Sequence, residues 1–328
     1  HLTASRFGDT MTSIVLGVIA LAILAPVAFT FFIARRVTKG FPPEGQFIDI
    51  GGDRLHYIDR GQGPAIVFVH GLCGNLRNFA YLDMDRLARS HRVIVIDRPG
   101  AGRSVRAADS PANIYAQAHT VAQCIEQLGL DKPVLVGHSL GGAISLAVGL
   151  NHPHVIRRLA LIAPLTHAES TPPGAFRGLV LTSPLVRRLV SWTLAIPLSI
   201  INSRKAIAAV FAPEAMPKDF PFKGGGLLGL RPHVFYAASS DLVAAPEDLP
   251  DMERRYASMT VPVDVLYGRG DRILNVKRQG EALKQKLDRV NLRIIDGGHM
   301  LPVTQPALTT DWVLAVAAAA PAQAELLA

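Results

Sequence analysis

At 328 residues the chain is long enough for a full hydrophobic core and for one or two domains. Hydrophobic residues make up 49% of it and the mean hydropathy is +0.26, so an apolar segment is expected beyond an ordinary core. The net charge of +8 comes without a basic run longer than two residues and without aromatic-basic interleaving, which argues against nucleic acid and for anionic lipid as the partner of that charge.

In chain order, the first feature is "SIVLGVIALAILAPVAFTFFI", Ser13 to Ile33, uncharged throughout. At about 1.5 Å per residue it is long enough to cross a hydrocarbon layer of roughly 30 Å. It is longer than the apolar core of a secretory signal, so an uncleaved anchor over 13–34 is expected, with Pro26 tolerated inside it. Residues 1–12 read as a tail; the chain opens on His1, so the first residues could be vector-derived and Met11 the native start. Residues 35–45 read as a juxtamembrane linker ending in "GFPPEG" and carrying Arg35, Arg36 and Lys39. The positive-inside rule puts the domain beyond that cluster in the cytoplasm, whereas contact of the same charges with outer-leaflet headgroups would allow the other side.

From Gln46 onward, strand-like and helical runs alternate. "QFIDI" and "RLHYID" flank Gly51 and Gly52 like a hairpin. "AIVFVHG" and "RVIVIDRPG" are buried-strand runs with a helical segment around Leu76 to Ala88 between them. A helix over "NIYAQAHTVAQCIEQLGL" stops at Gly129, and the strands "KPVLVG" and "IRRLALIAP" come next. The rhythm breaks over 165–246, a Pro-rich helical stretch that reads as an inserted cap. It resumes with "VPVDVLYG", a helix "NVKRQGEALKQKLDR", the strand "VNLRIIDGG" and a last helix from about Ala307 to Ala320, after which an Ala-rich tail frays. The alternation implies a mostly parallel sheet with helices on both faces, split into 46–164 and 247–328 by the cap. Cys73 and Cys124 form no metal-ligand or C-x-x-C pattern, and Cys73 reads as a small packing residue.

Chemistry concentrates where the strand run Val134 to Val136 breaks into a small-residue helix at "GHSLGG". Ser139 stands between Gly137 and Gly141, the G-x-S-x-G spacing of a strand-turn-helix that pushes the serine hydroxyl out. A serine needs a base to take its proton and an acid to orient that base. His299, just beyond the last strand in "IIDGGHML", and Asp271, just beyond the preceding strand in "LYGRGDRIL", supply them. Asp264 is a rival acid but lies inside its strand run.

With "HG" at His70 and Gly71, "DRPGAGRS" at Asp97 to Ser104, the serine turn and the Asp271 and His299 loops, the chain from Gln46 on resembles the α/β-hydrolase superfamily, whose triad runs in the order Ser, Asp, His. The resemblance implies an α/β-hydrolase fold and an oxyanion hole made by the backbone amides of Leu72 and Leu140. It makes His70 and Gly71 a supporting loop, with His138 structural. Serine at the nucleophile position speaks against haloalkane dehalogenases and epoxide hydrolases. With the anchor, the arrangement resembles monoacylglycerol lipases and bacterial inner-membrane phospholipases A, the latter suggesting a periplasmic catalytic domain.

The expectation is therefore a membrane-anchored serine carboxylester hydrolase acting on lipid or fatty-acyl esters, without cofactor, metal or nucleic acid, with a homodimer left open. Small-ester, thioester or carbon-carbon bond hydrolysis is the alternative, and a non-catalytic binding module the alternative of another class. Eight Lys or Arg against three Asp or Glu between Glu169 and His233 fit a cap that lies on anionic headgroups.

Overall fold

Period-two alternation in the strands decides the architecture. In β3 (Ala65–Val69), Val67 and Val69 join one hydrophobic cluster while Ile66 and Phe68 join another, so both faces of the strand are buried. The computed structural model describes residues 2–319 and contains one eight-stranded sheet. Its strands are β1 (Gln46–Ile50), β2 (Asp53–Arg60), β3, β4 (Arg92–Ile96), β5 (Val134–His138), β6 (Arg158–Ile162), β7 (Val263–Gly268) and β8 (Val290–Ile295). They lie in the order β1-β2-β4-β3-β5-β6-β7-β8. The β1–β2 hairpin joins β4 antiparallel, and from β4 to β8 every pair is parallel. Strand order reverses between β3 and β5, which opens a crevice at their carboxyl ends.

The helices are α1 (Leu2–Gly40), α2 (Met84–Ala88), α3 (Ile114–Gln127), α4 (Leu140–Asn151), α5 (Pro184–Trp192), α6 (Ala195–Phe211), α7 (Pro232–Arg255), α8 (Ala282–Lys286), α9 (Leu301–Thr304) and α10 (Pro306–Ala318). Residues of α3, α4, α7 and α8 cover one face of the sheet, those of α2 and α10 the other.

Three boundaries differ from the sequence reading. The uncharged stretch is the middle of a single long helix: Arg35, Arg36 and Lys39 extend it as exposed helical residues, and it stops only before Pro42 and Pro43. The cap does not end at Pro246, because α7 continues through Pro246 and Pro250 to Arg255. Its second half is held to the core: Asp248 accepts from Asn113 Nδ2 and Tyr115 N (both 2.9 Å), and Leu249 and Met252 enter the main cluster. The helix expected over 275–289 is a π turn, Lys277–Glu281, running into α8, with the side chain of Gln279 buried against Thr166. His1 and the tail from Ala320 lie outside the described residues.

Candidate active site

Four carboxyl-end loops of the sheet meet above the crevice. Between β5 and α4, Ser139 adopts φ 56° and ψ −120°, a left-handed conformation that a non-glycine residue adopts only under tertiary constraint. The flanking glycines make that turn possible. A Cβ on Gly137 would lie 2.5 Å from Gly141 O, and one on Gly141 would overlap the carbonyls of Val69 and His70. Gly142 faces Pro164 equally closely, so α4 packs directly against the strands.

Ser139 Oγ lies 3.0 Å from His299 Nε2, and His299 Nδ1 lies 2.7 Å from Asp271 Oδ2. All three predicted residues are thus brought into one hydrogen-bonded, buried relay, with Ser139 8% and His299 3% exposed and the Asp271 side chain fully buried. The second carboxylate oxygen of Asp271 accepts from the amides of Ile273 (2.8 Å) and Leu274 (2.9 Å), which fixes the orientation of the group. Asp264 is elsewhere, near the opposite end of β7, held by Arg158 (2.7 Å) and Asn291 (3.0 Å).

His138 points its Nε2 at the carbonyl of His299, 2.9 Å away, and so ties the histidine loop to the serine turn. Glu214, beyond α6, accepts from the Gly298 amide at 3.2 Å and ties the same loop to the cap. Its role had no signal in the sequence.

The loop after β3 is set by Arg98, quoted in the sequence motif but assigned no role there. Its guanidinium donates to the carbonyls of His70 (2.9 Å) and Gly71 (3.0 Å), to Gln117 (2.7 Å) and to Asp241 of α7 (2.7 Å). His70 adds a second bond to Gly71 O, from Nδ1 at 2.9 Å, while its Nε2 accepts from the Arg98 amide at 3.0 Å. In a trans peptide the carbonyl of Gly71 and the N–H of Leu72 point in opposite directions. Pinning the first to Arg98 turns the second away from it. Gly71 itself packs on the serine, since a Cβ there would lie 2.8 Å from Ser139 Cβ. Among the described residues, the amides of Leu72 and Leu140 have no carbonyl acceptor, leaving two donors on either side of Ser139. Neighbouring Asp97 is a brace: it accepts from Leu76 N and Arg103 N and bonds His56, each at 2.8 Å. Cys73 departs from its expected packing role; it is exposed, at φ 56°. No group of three or more His, Cys, Asp or Glu among the described residues is placed to hold a metal.

Comparison with known proteins agrees with this layout. A model of the alpha/beta hydrolase fold family matches residues 64–195. The 2-hydroxy-6-oxononadienedioate/2-hydroxy-6-oxononatrienedioate hydrolase of Burkholderia vietnamiensis is 29% identical over 226 residues, 67% of this chain and 76% of that protein. The dihydrolipoyllysine-residue acetyltransferase component of the acetoin cleaving system of Cupriavidus necator is 31% identical over 140 residues, which span 41% of this chain and only 36% of that protein. Among solved structures, that of a membrane phospholipase A superposes with a TM-score of 0.66 at 22% identity, covering 95% of this chain and 97% of its own. The chain has the α/β-hydrolase fold.

Two buried histidines of this fold carry a pH consequence. Burial, then the Arg98 guanidinium, lowers His70 to about 4; burial, then His299, lowers His138 to about 3. Both stay neutral in the folded chain but take up a proton in the unfolded one below about pH 6.5. The unfolded state then holds more protons, so stability is complete above that value and falls as the pH drops toward 4, by up to about 1.4 kcal/mol per pH unit for each group. The urea midpoint should accordingly decline from pH 7 to pH 5. A flat midpoint over that range would contradict the buried, neutral assignment.

Proposed function

We propose that this chain is a membrane-anchored serine hydrolase that cleaves carboxylic esters of lipids through an acyl-enzyme. The observation that carries the reading is the Ser139–His299–Asp271 relay on the same chain as a long apolar helix that packs directly on the cap. In the first half-reaction His299 Nε2 takes the Ser139 proton as Oγ adds to the ester carbonyl. The amides of Leu72 and Leu140 stabilise the oxyanion, and the proton passes to the leaving alkoxide as the ester C–O bond breaks. In the second, His299 takes a proton from water, hydroxide adds to the acyl carbon, and Ser139 leaves with the proton restored. The uncharged stretch of α1 and the full-length likeness to the solved membrane phospholipase A support lipid as substrate and the membrane as location.

A second reading is favoured by the relatives named for hydrolysis of 2-hydroxy-6-oxo dienoates: carbon-carbon bond cleavage by the same relay. A panel of a soluble short ester, monoacylglycerol, lysophospholipid, phospholipid and a 2-hydroxy-6-oxo dienoic acid separates the two. Fluorophosphonate labelling of the membrane-bound chain separates both from a non-catalytic module.

The anchor makes its own prediction. The stripe of α1 covered by the cap begins at Pro26, so a chain starting at residue 25 keeps that contact and loses most of the span. A soluble ester should be hydrolysed as before. Activity on phospholipid vesicles should fall about tenfold or more, because attachment supplies the high local concentration of enzyme at that surface. An unchanged ratio of the two activities would refute lipid delivery as the purpose of the helix.

A further inference from the structure

Helix α5 is built inside out for water. Its one buried charged side chain, Arg187, is 6% exposed and points into the protein, donating to Leu181 O and to Ser239 Oγ (3.0 Å) and Ser240 Oγ (2.8 Å) of α7. On the opposite face, Leu185 is 81% and Leu189 63% exposed, and Trp192 continues that stripe at the i, i+4, i+7 spacing. After a bend of 77°, a second exposed apolar stripe follows with Leu194 at the N-cap of α6 and Leu198 and Ile201 within it, the last 74% exposed. A water-facing helix carries its charges outward and its leucines inward, and two adjoining exposed apolar stripes mark a surface meant for an apolar neighbour.

The surrounding charge identifies that neighbour. No Asp or Glu occurs from residue 170 to residue 213. Arg177, Arg188, Arg204 and Lys205 in that stretch are exposed, and none has an acidic partner among the described residues. The position is also telling. Helix α1 packs against α5, α6 and the Gly226–Gly229 turn; its covered stripe runs through Pro26, Thr30, Ile33 and Val37, with Thr30 fully buried and Ile33 and Val37 packed with Leu227 and Leu228. Pro26 to Ile33 lies inside the uncharged stretch, so the cap grips the span over about 10 Å of its apolar length. A cap attached there cannot stand clear of the bilayer that α1 crosses.

We propose that the α5–α6 elbow is a second membrane contact, its stripes entering the outer acyl region of an anionic bilayer beside α1 while the exposed arginines and lysine meet lipid phosphates. This rests on the reading of α1 as the anchor. The far end of α6 abuts the relay, with Ala212 O facing Gly298 and Pro213 facing Gly270, so one helix of 17 residues joins the membrane contact to the His299 and Asp271 loops.

The chain has two tryptophans, Trp192 in the elbow at 41% exposure and Trp312 in the core at 5%, so fluorescence reads the elbow directly. The full chain is reconstituted in phosphatidylcholine–phosphatidylglycerol vesicles whose acyl chains carry bromine, a contact quencher. Emission should drop relative to unbrominated vesicles, and the drop should vanish in Trp192→Phe. A Leu21→Trp reporter in the Trp192→Phe background reads α1 in the same vesicles. Quenching at residue 21 without quenching at 192 overturns the elbow contact while sparing the anchor. Acrylamide accessibility of Trp192 would then mean an elbow in water, and inaccessibility an elbow covered by a second copy. No quenching at either position overturns both, and fluorophosphonate labelling of the same vesicles reports the hydrolase reading separately.

Discussion

Replacing Ser139 by alanine is expected to lower kcat on a soluble ester by on the order of 10⁶ while leaving the chain folded. The side-chain oxygen makes one hydrogen bond, to His299, and does not cap α4, so its loss removes the nucleophile and little else. Alanine meets the same backbone strain at φ 56° as serine does, so the elbow neither gains nor loses from the change. What remains is the background expected of an oxyanion hole acting on bound ester. Hydrolysis rates, loss of fluorophosphonate labelling and an unchanged thermal melt by circular dichroism check the three parts together. Activity within about tenfold of the parent would remove Ser139 from the nucleophile role, given the size of the loss expected for such a change.

The parts of this molecule that were legible in sequence are those where local chemistry leaves one solution. Buried parallel strands read as runs such as "AIVFV" because both faces are covered, and the serine turn reads through glycines that no other residue can replace at backbone contact. The pairing of His299 with Asp271 was legible because Asp271 comes after β7 whereas Asp264 lies within it. What escaped was non-local. Arg98 and Asp241 are 143 positions apart, and nothing in either segment announces that a buried ion pair joins the loop after β3 to α7. The cap boundary escaped because proline is a local stop signal, while α7 passes two prolines with its second half packed on α3 and α4. The inverted face of α5 was hidden for a related reason: periodicity reports which residues share a face, but only the fold shows that the face of Arg187 is the inner one.

Asp271→Asn is the more discriminating substitution, because the protein dictates which way the amide must turn. In the parent, Oδ1 accepts from the amides of Ile273 and Leu274 while Oδ2 accepts from His299 Nδ1. Asparagine can keep the first pair only by placing its carbonyl oxygen there, since its NH₂ would meet two N–H donors head-on. The NH₂ is then left facing His299 and must donate to Nδ1. That drives the imidazole proton to Nε2, so a donor, not an acceptor, confronts Ser139 Oγ. The base is lost although every heavy atom stays in place, and kcat should fall by about 10⁴. Asp264→Asn, by contrast, weakens the bond to Arg158 in the sheet and should lower stability with kcat nearly intact. Rate measurements and urea melts on both variants decide the matter. If Asp264→Asn lost more activity than Asp271→Asn, the acid of the relay would have to be reassigned. If instead Asp271→Asn recovered activity as the pH was raised, hydroxide would be replacing the base, as the tautomer argument requires.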